Sequence, residues 1–271
     1  MKSIKGSVAV VTGAASGIGR ELAIQLAALG CHLALSDLNE EELVQTAALL
    51  TNSEIKVKTD KLNVADQVAF FAYADDVMAH FGQVDIVINN AGRSVADSFL
   101  DGSIEDFKMI MDINFWGAFY GSKAFLPHLL KRPSANLANV SSVNALIPFP
   151  NQSSYNTSKY AIAGLTETLQ QEMRGTSVKV MVIYPGGVRT NIVKNGKFIK
   201  GPKEDMTQEE SAKYFEKVAM TSVTRAARLI IKGIRKDRSR LRIGPDSFVF
   251  DYLKRLFPRF AVKIVAIAAK M

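Results

Sequence analysis

The sequence predicts an α/β protein built as a doubly wound, mainly parallel sheet with helices on both faces, in a single domain. A short apolar, β-branched run from Val8 to Thr12 is typical of a strand that is buried on both faces. A glycine-rich turn follows at once, and then a helical pattern that ends at Gly30. Further apolar runs at 33–37, 84–88 and 178–184 alternate with helical patterns, as parallel βαβ units require.

Length and composition fit one globular unit. The chain has 271 residues, of which 48% are hydrophobic and 22% are charged, enough for a large α/β domain with a sizeable core. Cys31 is the single cysteine, so an intramolecular disulfide is excluded and a buried, inert thiol is expected. The three histidines are far apart in sequence and lack the spacing of metal ligands, so we expect no metal.

The sequence carries no targeting pattern. Its first residues lead directly into a strand pattern, without an apolar signal segment or a small-residue cleavage site. No apolar run reaches the length that a transmembrane helix needs. We therefore expect a cytoplasmic protein.

The positive charge is concentrated near the C-terminus. The net charge is +8, but residues 224–271 hold thirteen Lys and Arg against three Asp, a net of +10. Three roles stay open for the basic and apolar extension, residues 246–271. It packs on the protein or its oligomeric partner, it makes a peripheral membrane contact, or it binds nucleic acid. No nucleic-acid recognition motif accompanies the charge, so we expect no nucleic-acid partner.

The turn after the first strand predicts a phosphate-binding site. Gly13, Gly17 and Gly19 fall within seven residues, between a strand and a helix. Glycine lets the backbone approach a pyrophosphate, and the helix N-terminus supplies free N–H groups and a favourable dipole. A tight turn without a ligand also uses glycines, but the strand–turn–helix context favours nucleotide binding.

Tyr155 and Lys159 form a candidate proton-transfer pair. They lie four residues apart at the start of a helical pattern, so their side chains share one helix face. A phenol titrates near 10, and an adjacent ammonium lowers that pKa toward a value useful for proton transfer. The same spacing also fits an ordinary exposed helix pair, so the choice between the two interpretations depends on the neighbouring motifs.

These motifs, taken in order, resemble those of the short-chain dehydrogenase/reductase family over roughly residues 7–191. Thr12 and the three glycines match the family's cofactor turn, and Asn89-Asn90-Ala91-Gly92 matches its N-N-A-G element. Pro185-Gly186 closes a later strand, as in the family. The resemblance implies a Rossmann-type fold and a nicotinamide coenzyme.

The resemblance implies four catalytic residues, Asn114, Ser142, Tyr155 and Lys159. Tyr155 would exchange a proton with the substrate oxygen, and Ser142 would hold that oxygen as charge develops. Lys159 would lower the pKa of Tyr155 and bind the nicotinamide ribose, and Asn114 would hold a water in a proton relay. Individually, Ser142 and Asn114 also fit capping or turn roles, but the complete set in order favours catalysis.

The resemblance also implies which residues contact the ligands. The coenzyme-binding residues follow the ends of successive strands: Gly13, Ser16, Gly17, Ile18, Gly19, Asp37, Leu38, Leu62, Asn63, Val64, Asn90, Ala91, Gly92, Tyr155, Lys159, Pro185, Gly186, Val188 and Thr190. The substrate-lining residues are Asn144, Phe149, Gly187 and Ile192, below a lid over about 187–222. The lid is mostly apolar, with Val193, Phe198, Ile199 and Met206, and so predicts an apolar, fairly bulky substrate.

Asp37 favours NAD over NADP, which is the second choice. An acid at the end of the second strand accepts hydrogen bonds from the adenosine ribose hydroxyls and repels a 2′-phosphate. No basic residue follows within the next five positions, and Ser16 stands where NADP-using relatives often have a basic residue. The family usually has Asp where this chain has Asn63, whose amide oxygen can still accept from adenine.

The predicted function is NAD(P)-dependent interconversion of a secondary alcohol and a ketone, with residues 1–245 as the catalytic domain. Two alternatives remain. One is a reductase of a carrier-bound 3-oxoacyl chain, docked through the basic C-terminal region. The other is a dinucleotide-sensing scaffold without turnover, against which the intact catalytic set argues. The apolar stripe that includes Phe107 and Phe115 implies, by the resemblance, a homodimer or homotetramer.

Overall fold

Strands and helices alternate along the chain. The computed structural model describes residues 3–194, 196–198 and 207–270, the last five of these by their backbone only. Its strands are β1 (Val8–Thr12), β2 (His32–Asp37), β3 (Val57–Lys61), β4 (Ile86–Asn89), β5 (Val95–Ala96), β6 (Ala135–Val140), β7 (Val178–Pro185), β8 (Lys197–Phe198) and β9 (Arg240–Ile243). Its α-helices are α1 (Gly17–Ala28), α2 (Glu40–Ala48), α3 (Gln67–Phe81), α4 (Ile104–Met111), α5 (Gly117–Leu129), α6 (Ser153–Glu172), α7 (Gln208–Val218), α8 (Val223–Arg235), α9 (Pro245–Leu256) and α10 (Pro258–Lys270).

Seven of the strands form one parallel sheet in the order β3-β2-β1-β4-β6-β7-β9. After β1 the chain adds β2 and β3 on one side of the sheet, and from β4 onward it adds strands on the other side. The direction of winding therefore reverses between β1 and β4. The crevice at such a reversal, outside the carboxyl ends of the strands, is where open α/β sheets bind ligands. The doubly wound α/β fold predicted from the sequence is confirmed.

Each face of the sheet is covered by its own apolar cluster. Along β1 the side chains alternate, so that Ala9 and Val11 join one cluster while Val8 and Val10 join the other. The first cluster packs α1 and α8 on the sheet, and the second packs α3 and α5 through Phe70 and other large, fully buried side chains. This two-sided burial explains why the strands are nearly continuous apolar runs.

Side-chain caps fix where two of the helices begin. Asn39 accepts a hydrogen bond from the Glu42 backbone N–H at the start of α2, and Asp66 does the same for Ala69 at the start of α3. The third strand ends at Lys61, before the predicted coenzyme-binding residues Leu62, Asn63 and Val64. The reason is a turn in which the Asn63 carbonyl oxygen accepts from the Asp66 N–H at 3.0 Å.

The described part of the C-terminal extension packs on the preceding part of the chain. Asp251 of α9 is buried and forms ion pairs with Arg240 at 2.9 Å and Arg242 at 2.6 Å on β9. Ala261 and Val265 of α10 are buried against Ile147. Of the three roles considered for this segment, packing on the protein is therefore the one that these contacts display. No helix of the described residues is long and apolar enough to span a membrane.

Candidate active site

The glycine-rich turn forms a cradle that only glycine can line. A Cβ added to Gly13 would lie 2.8 Å from the Ala91 Cα, and one added to Gly19 would overlap the Gly13 carbonyl oxygen. Gly13 and Gly17 also have φ of 68° and 55°, which other residues rarely adopt. Ser16 is exposed at the N-cap of α1 and makes no side-chain cap there. The first turn of α1 therefore keeps N–H groups that a phosphate group could use.

The N-N-A-G element locks the cradle from the neighbouring strand. The Asn90 side chain donates hydrogen bonds to the carbonyl oxygens of Thr12 at 3.0 Å and Gly13 at 3.1 Å. The Thr12 hydroxyl oxygen accepts from the backbone N–H groups of Asn90 and Ala91, each at 3.1 Å. Asn90 therefore acts here by holding the backbone of the turn.

Asp37 lies beside the same turn. Its Oδ2 accepts from the Ala15 N–H at 2.9 Å, and its Oδ1 accepts from the Asn39 N–H at 3.0 Å. The carboxylate is only half-buried, so each oxygen keeps a lone pair for a ligand hydroxyl. Arg20 of α1 is committed elsewhere, because it pairs with Glu42 and donates to the Thr46 hydroxyl at 3.0 Å.

The predicted adenine-side residues flank this position. Leu38 is 62% exposed, whereas Leu62 and Val64 are buried. The Asn63 Oδ1 accepts from the Ala65 N–H at 3.2 Å, so this amide stabilises its own turn. Ile18 is partly buried and packs against the cluster beneath α1.

Asn114 lies in a π-helical turn, Asp112–Trp116, between α4 and α5. Such turns are rare and occur frequently at functional sites. The Asn114 Oδ1 accepts from the Arg93 N–H at 2.8 Å, and its Nδ2 donates to the Arg93 carbonyl oxygen at 2.9 Å and to the Ser158 hydroxyl at 3.0 Å. Both amide donors are used by the protein, so only the second lone pair of Oδ1 is left for the predicted water relay.

Tyr155, Ser142 and Lys159 converge at the carboxyl end of β6. The Ser142 hydroxyl lies near enough to Tyr155 to lower the pKa of its phenol, and it donates a hydrogen bond to Asn144 Oδ1 at 3.2 Å. The Lys159 Nζ lies 5.6 Å from the centre of the Tyr155 ring and donates to the Val140 carbonyl oxygen at 3.1 Å. Gly92 completes the group: a Cβ added there would lie 3.1 Å from the Asn114 Oδ1 and 3.3 Å from the Lys159 Nζ.

The protonation balance differs from the sequence-based expectation that Lys159 lowers the pKa of Tyr155. Burial raises the pKa of Tyr155, and the neighbouring Ser142 hydroxyl offsets only part of that rise. Burial also lowers the pKa of Lys159 from 10.5 to about 8. The expectation considered charge proximity alone, whereas desolvation dominates for both groups. Near pH 7 the phenol is neutral and the amine is mostly protonated.

The predicted substrate-lining residues separate into two kinds. Asn144 is buried and donates to Gln152 at 2.6 Å and Asn156 at 2.8 Å, so it holds the loop after β6 together. Phe149 is half-buried and meets the ring of Phe250 of α9 edge-on, with centroids 5.6 Å apart. The sequence did not indicate this contact with Phe250, because nothing local relates residues 149 and 250.

The turn after β7 closes the opposite side. Pro185 is the last residue of the strand, and Val188 is buried in a bridge to Thr221. A Cβ on Gly17 would lie 3.4 Å from the Thr190 Cγ2, so the two predicted coenzyme segments meet here. The Gly187 N–H donates to Asp246 Oδ2 at 2.6 Å. Asp246 was also missed, although an acid in the first turn of a helix was the available signal.

The described part of the predicted lid segment is anchored to the loop after β4. The Ser94 hydroxyl donates to the Ile192 carbonyl oxygen at 2.8 Å, and β8 pairs in parallel with β5. The Lys197 Nζ donates to Asp106 Oδ2 at 2.6 Å, which lowers the pKa of that carboxyl. The predicted lid residues Ile199 and Met206 lie outside the described residues. Among all residues that the structure describes, no group of three or more His, Cys, Asp or Glu could hold a metal ion.

Comparisons with known proteins agree with this geometry. The sequence model of the family described as short chain dehydrogenase matches residues 7–198. SadH of Mycobacterium tuberculosis, a protein named as an oxidoreductase, is 39% identical over 98% of this chain and 96% of its own. Dehydrogenase/reductase SDR family member 7B of Bos taurus is 30% identical over 98% of this chain and 82% of its own.

One solved structure shares nearly the whole fold. It is a short-chain dehydrogenase/reductase from Burkholderia phymatum in complex with NAD, with a TM-score of 0.88 and 27% identity. The alignment covers 96% of each chain. Because the family model spans most of the chain and relatives above 30% identity cover nearly all of it, this protein belongs to the short-chain dehydrogenase/reductase family of oxidoreductases.

Proposed function

We propose that the protein interconverts a secondary alcohol and a ketone with NAD as the preferred coenzyme. The observation that carries the proposal is the convergence of Tyr155, Ser142 and Lys159, with the Lys159 Nζ 5.6 Å from the centre of the phenol ring. This group lies at the carboxyl ends of the strands, as the glycine cradle does, and Gly92 adjoins both Asn114 and Lys159 there. A proton donor, an oxygen-binding hydroxyl and a cation thus adjoin a nucleotide cradle.

The residues present fit a nicotinamide dinucleotide. The turn from Gly13 to Gly19 would hold the pyrophosphate, and Asp37 would accept from the adenosine ribose hydroxyls. Tyr155, Lys159 and the turn after Pro185 would hold the nicotinamide end. When bound, this coenzyme supplies or accepts a hydride. The NAD complex of the Burkholderia relative supports this assignment.

The protein's own groups would manage the proton. Tyr155 has a raised pKa, so near neutral pH its phenol carries the proton that a forming alkoxide needs. The Ser142 hydroxyl would donate to the same oxygen and strengthen that bond as charge develops. The Lys159 ammonium would stabilise the phenolate that remains. Asn114 would keep Arg93 and Ser158 in place around Lys159.

The walls support an apolar, fairly bulky substrate. Phe149, Ile192 and Phe198 are partly buried apolar side chains on the substrate side of the site. Phe250 extends this apolar surface behind Phe149. An apolar wall stabilises a hydrocarbon body by removing its surface from water. We therefore place cyclic, aromatic and long aliphatic ketones ahead of small charged keto acids.

A carrier-bound 3-oxoacyl substrate is the second candidate, favoured by one surface. Arg225, Arg228 and Lys232 are exposed along one face of α8, at spacings of three and four residues. Such a basic stripe would attract an acidic carrier protein. Activity on a carrier-linked substrate that falls steeply with salt, and is absent with free ketones, would favour this reading.

Homo-oligomerisation is proposed for the face formed by the π-helical turn and α6. Trp116 is 39% exposed and stacks on Tyr120, and Tyr160 of α6 is 40% exposed. Large aromatic side chains of this kind are enriched in protein interfaces. Light scattering after size-exclusion chromatography would give the number of subunits. Liposome flotation would test the outward face of α9 and α10 for peripheral membrane contact.

The deciding experiment is a coenzyme and ketone screen of the purified protein. NADH and NADPH are supplied separately with aliphatic, aromatic and cyclic ketones, and the consumption of reduced nicotinamide is followed by absorbance. Tyr155→Phe is measured beside the wild type, with Tyr160→Phe as the matched control. We expect Tyr155→Phe to lower kcat by about 1,000-fold while coenzyme binding is kept, since general acid catalysis contributes on the order of 100- to 10,000-fold.

Each outcome has a distinct meaning. Turnover that is lost in Tyr155→Phe and kept in Tyr160→Phe supports the proposal and identifies the coenzyme. Turnover that survives in Tyr155→Phe contradicts the assigned role of this residue. Coenzyme binding without turnover on any free ketone contradicts the free-ketone substrate, and directs the search to the carrier-bound candidate.

A further inference from the structure

We infer that α9 braces both walls of the substrate cleft, and that Asp246 is its positioning residue. The inference rests on the proposed function, because it concerns the same cleft. At its first turn α9 holds the turn that follows Pro185, and one turn later Phe250 contacts Phe149, the predicted substrate-lining residue of the loop after β6. One short helix therefore contacts two segments that lie far apart in sequence.

Asp246 is fitted closely against the turn after β7. Its Oδ2 accepts from the Gly187 N–H at 2.6 Å, while the Gly187 carbonyl oxygen accepts from the Thr221 N–H at 3.1 Å. Both peptide groups of Gly187 are therefore fixed, one by α9 and one by the end of the lid. The Gly186 N–H is fixed as well, since it donates to the Ile243 carbonyl oxygen at 2.9 Å.

Three glycines surround the carboxylate of Asp246. A Cβ added to Gly186 would overlap the carboxylate oxygens, and one added to Gly244 would lie 2.5 Å from Oδ1. Gly244 has a φ of 90°, which a residue with a side chain rarely adopts. A Cβ on Gly187 would also lie 3.6 Å from Oδ2. The backbone is thus shaped so that a carboxylate fits between two strand ends.

The same carboxylate is a poor choice for stability alone. Its Oδ1 is buried and has no hydrogen-bond partner within the described part of the chain. A buried polar atom without a partner costs free energy, so a smaller cap would serve the helix better. The neighbouring Ser247 shows the contrast, because it is fully buried and its hydroxyl is satisfied by donating to the Tyr184 carbonyl oxygen at 2.9 Å. We attribute the presence of a carboxylate at position 246 to its hold on Gly187.

Phe250 transmits the same helix position to the other wall. Its ring contacts Phe149 and belongs to the apolar cluster that contains Val143, Ala145 and Tyr184. Residues 143–145 form the short 3₁₀ turn that follows Ser142. A displacement of α9 would therefore move the Ser142 side of the cleft together with the Gly187 side.

The test compares variants of two acids on α9. Asp246→Ser shortens the side chain so that it cannot reach Gly187, and serine is well tolerated where a helix begins. Asp246→Asn keeps an acceptor oxygen at the same reach. Asp251→Asn is the control, because it weakens the ion pairs of α9 with Arg240 and Arg242 without touching Gly187. Each variant is assayed for kcat, KM, NADH dissociation constant and Tm.

We expect Asp246→Ser to raise KM and the NADH dissociation constant by about 10- to 100-fold, since small misplacements of binding groups have effects of this order. Asp246→Asn should restore most of both. Asp251→Asn should lower Tm at least as much while KM changes by less than about threefold. Equal KM losses in Asp246→Ser and Asp251→Asn would show a merely structural role and overturn the inference.

Two further outcomes separate this inference from the proposed function. If the wild type shows no turnover, the NADH dissociation constants and Tm values still decide it, because an unchanged constant in Asp246→Ser contradicts the brace. If the wild type turns over and Asp246→Ser matches it, the proposed function stands and the brace is wrong. If Asp246→Ser does not fold, the test rests on Asp246→Asn. A KM raised more than 10-fold at wild-type Tm in this variant would contradict the assigned role, in which Asp246 serves only as the hydrogen-bond acceptor for Gly187.

Discussion

The two sides of the cleft are built in different ways. The coenzyme side, around Gly13, Gly19 and Asn90, is made of backbone atoms and of contacts between adjacent strands. The substrate side depends on side chains from remote segments, such as Asp246 on Gly187 and Lys197 on Asp106. Backbone sterics leave the coenzyme side little freedom. The substrate side can change one side chain at a time, which suits a fold that serves many substrates.

Gly19→Ala should break the coenzyme side most sharply. The new Cβ would overlap the Gly13 carbonyl oxygen, and the turn has no flexible side chain that could give way. Such overpacking costs about 1–3 kcal/mol, so we expect NADH affinity to fall by up to about 100-fold. Gly164→Ala is the control, because nothing lies within 4 Å of a Cβ there. It should raise Tm, since alanine is favoured over glycine in a helix. Unchanged NADH affinity in Gly19→Ala would contradict the cradle.

Lys159→Met tests the residue that lies between the coenzyme side and the substrate side, through its effect on the stability of the fold. The folded pKa of Lys159 is about 8, below its ordinary value of 10.5, so the folded state binds this proton more weakly than the unfolded state does. Below pH 8 the buried charge therefore destabilises the fold, and this cost disappears as pH rises from 8 to 10.5. We expect Lys159→Met to lose activity but raise Tm by a few degrees at pH 7, with the gain shrinking above pH 8. A lower Tm at pH 7 would contradict the assignment.

Asp37→Ser should alter coenzyme choice on the coenzyme side. It removes the carboxylate that would repel a 2′-phosphate, and with it the acceptor for Ala15 and Asn39. We expect kcat/KM with NADH to fall about 10-fold, in line with the loss of one or two charge-assisted hydrogen bonds. The value with NADPH should stay constant or rise. Glu41→Ser is the control, because it removes an exposed acid of α2 near Asp37 in the sequence. A parallel fall with both coenzymes would mean that Asp37 only supports the turn.

Lys197→Met should have the smallest effect, on the substrate side. The Lys197 side chain is about half exposed, so its ion pair with Asp106 is worth less than about 1 kcal/mol. We expect the substrate KM to rise two- to threefold, because the lid loses one anchor while Ser94 and the β5–β8 pairing remain. The control is Lys194→Met, which changes an exposed lysine three positions before Lys197 and should leave KM unchanged. A change in NADH affinity equal to the change in KM would place this anchor on the coenzyme side.

What could be predicted from the sequence follows the same division. The strand–turn–helix unit around Gly13 and the caps Asn39 and Asp66 depend on residues a few positions apart, so local patterns were sufficient. The fold class followed from the apolar runs. By contrast, Asp246 reaches Gly187 across 59 positions, and no local pattern specifies such a contact. The raised pKa of Tyr155 was also missed, because burial depends on the whole assembly of helices around the site.

The position of α9 after the glycine cradle in the sequence has a consequence for synthesis. Proteins emerge from the ribosome at about 5–20 residues per second, and their N-terminal parts begin to fold first. The glycine cradle and strands β1 to β7 are synthesised well before Asp246 and Phe250, whereas β9 directly precedes them. A nascent chain can therefore form its nucleotide cradle early, whereas its substrate cleft is assembled only after α9 has been added. Emergence of α9 thereby acts as a late step in switching the protein on.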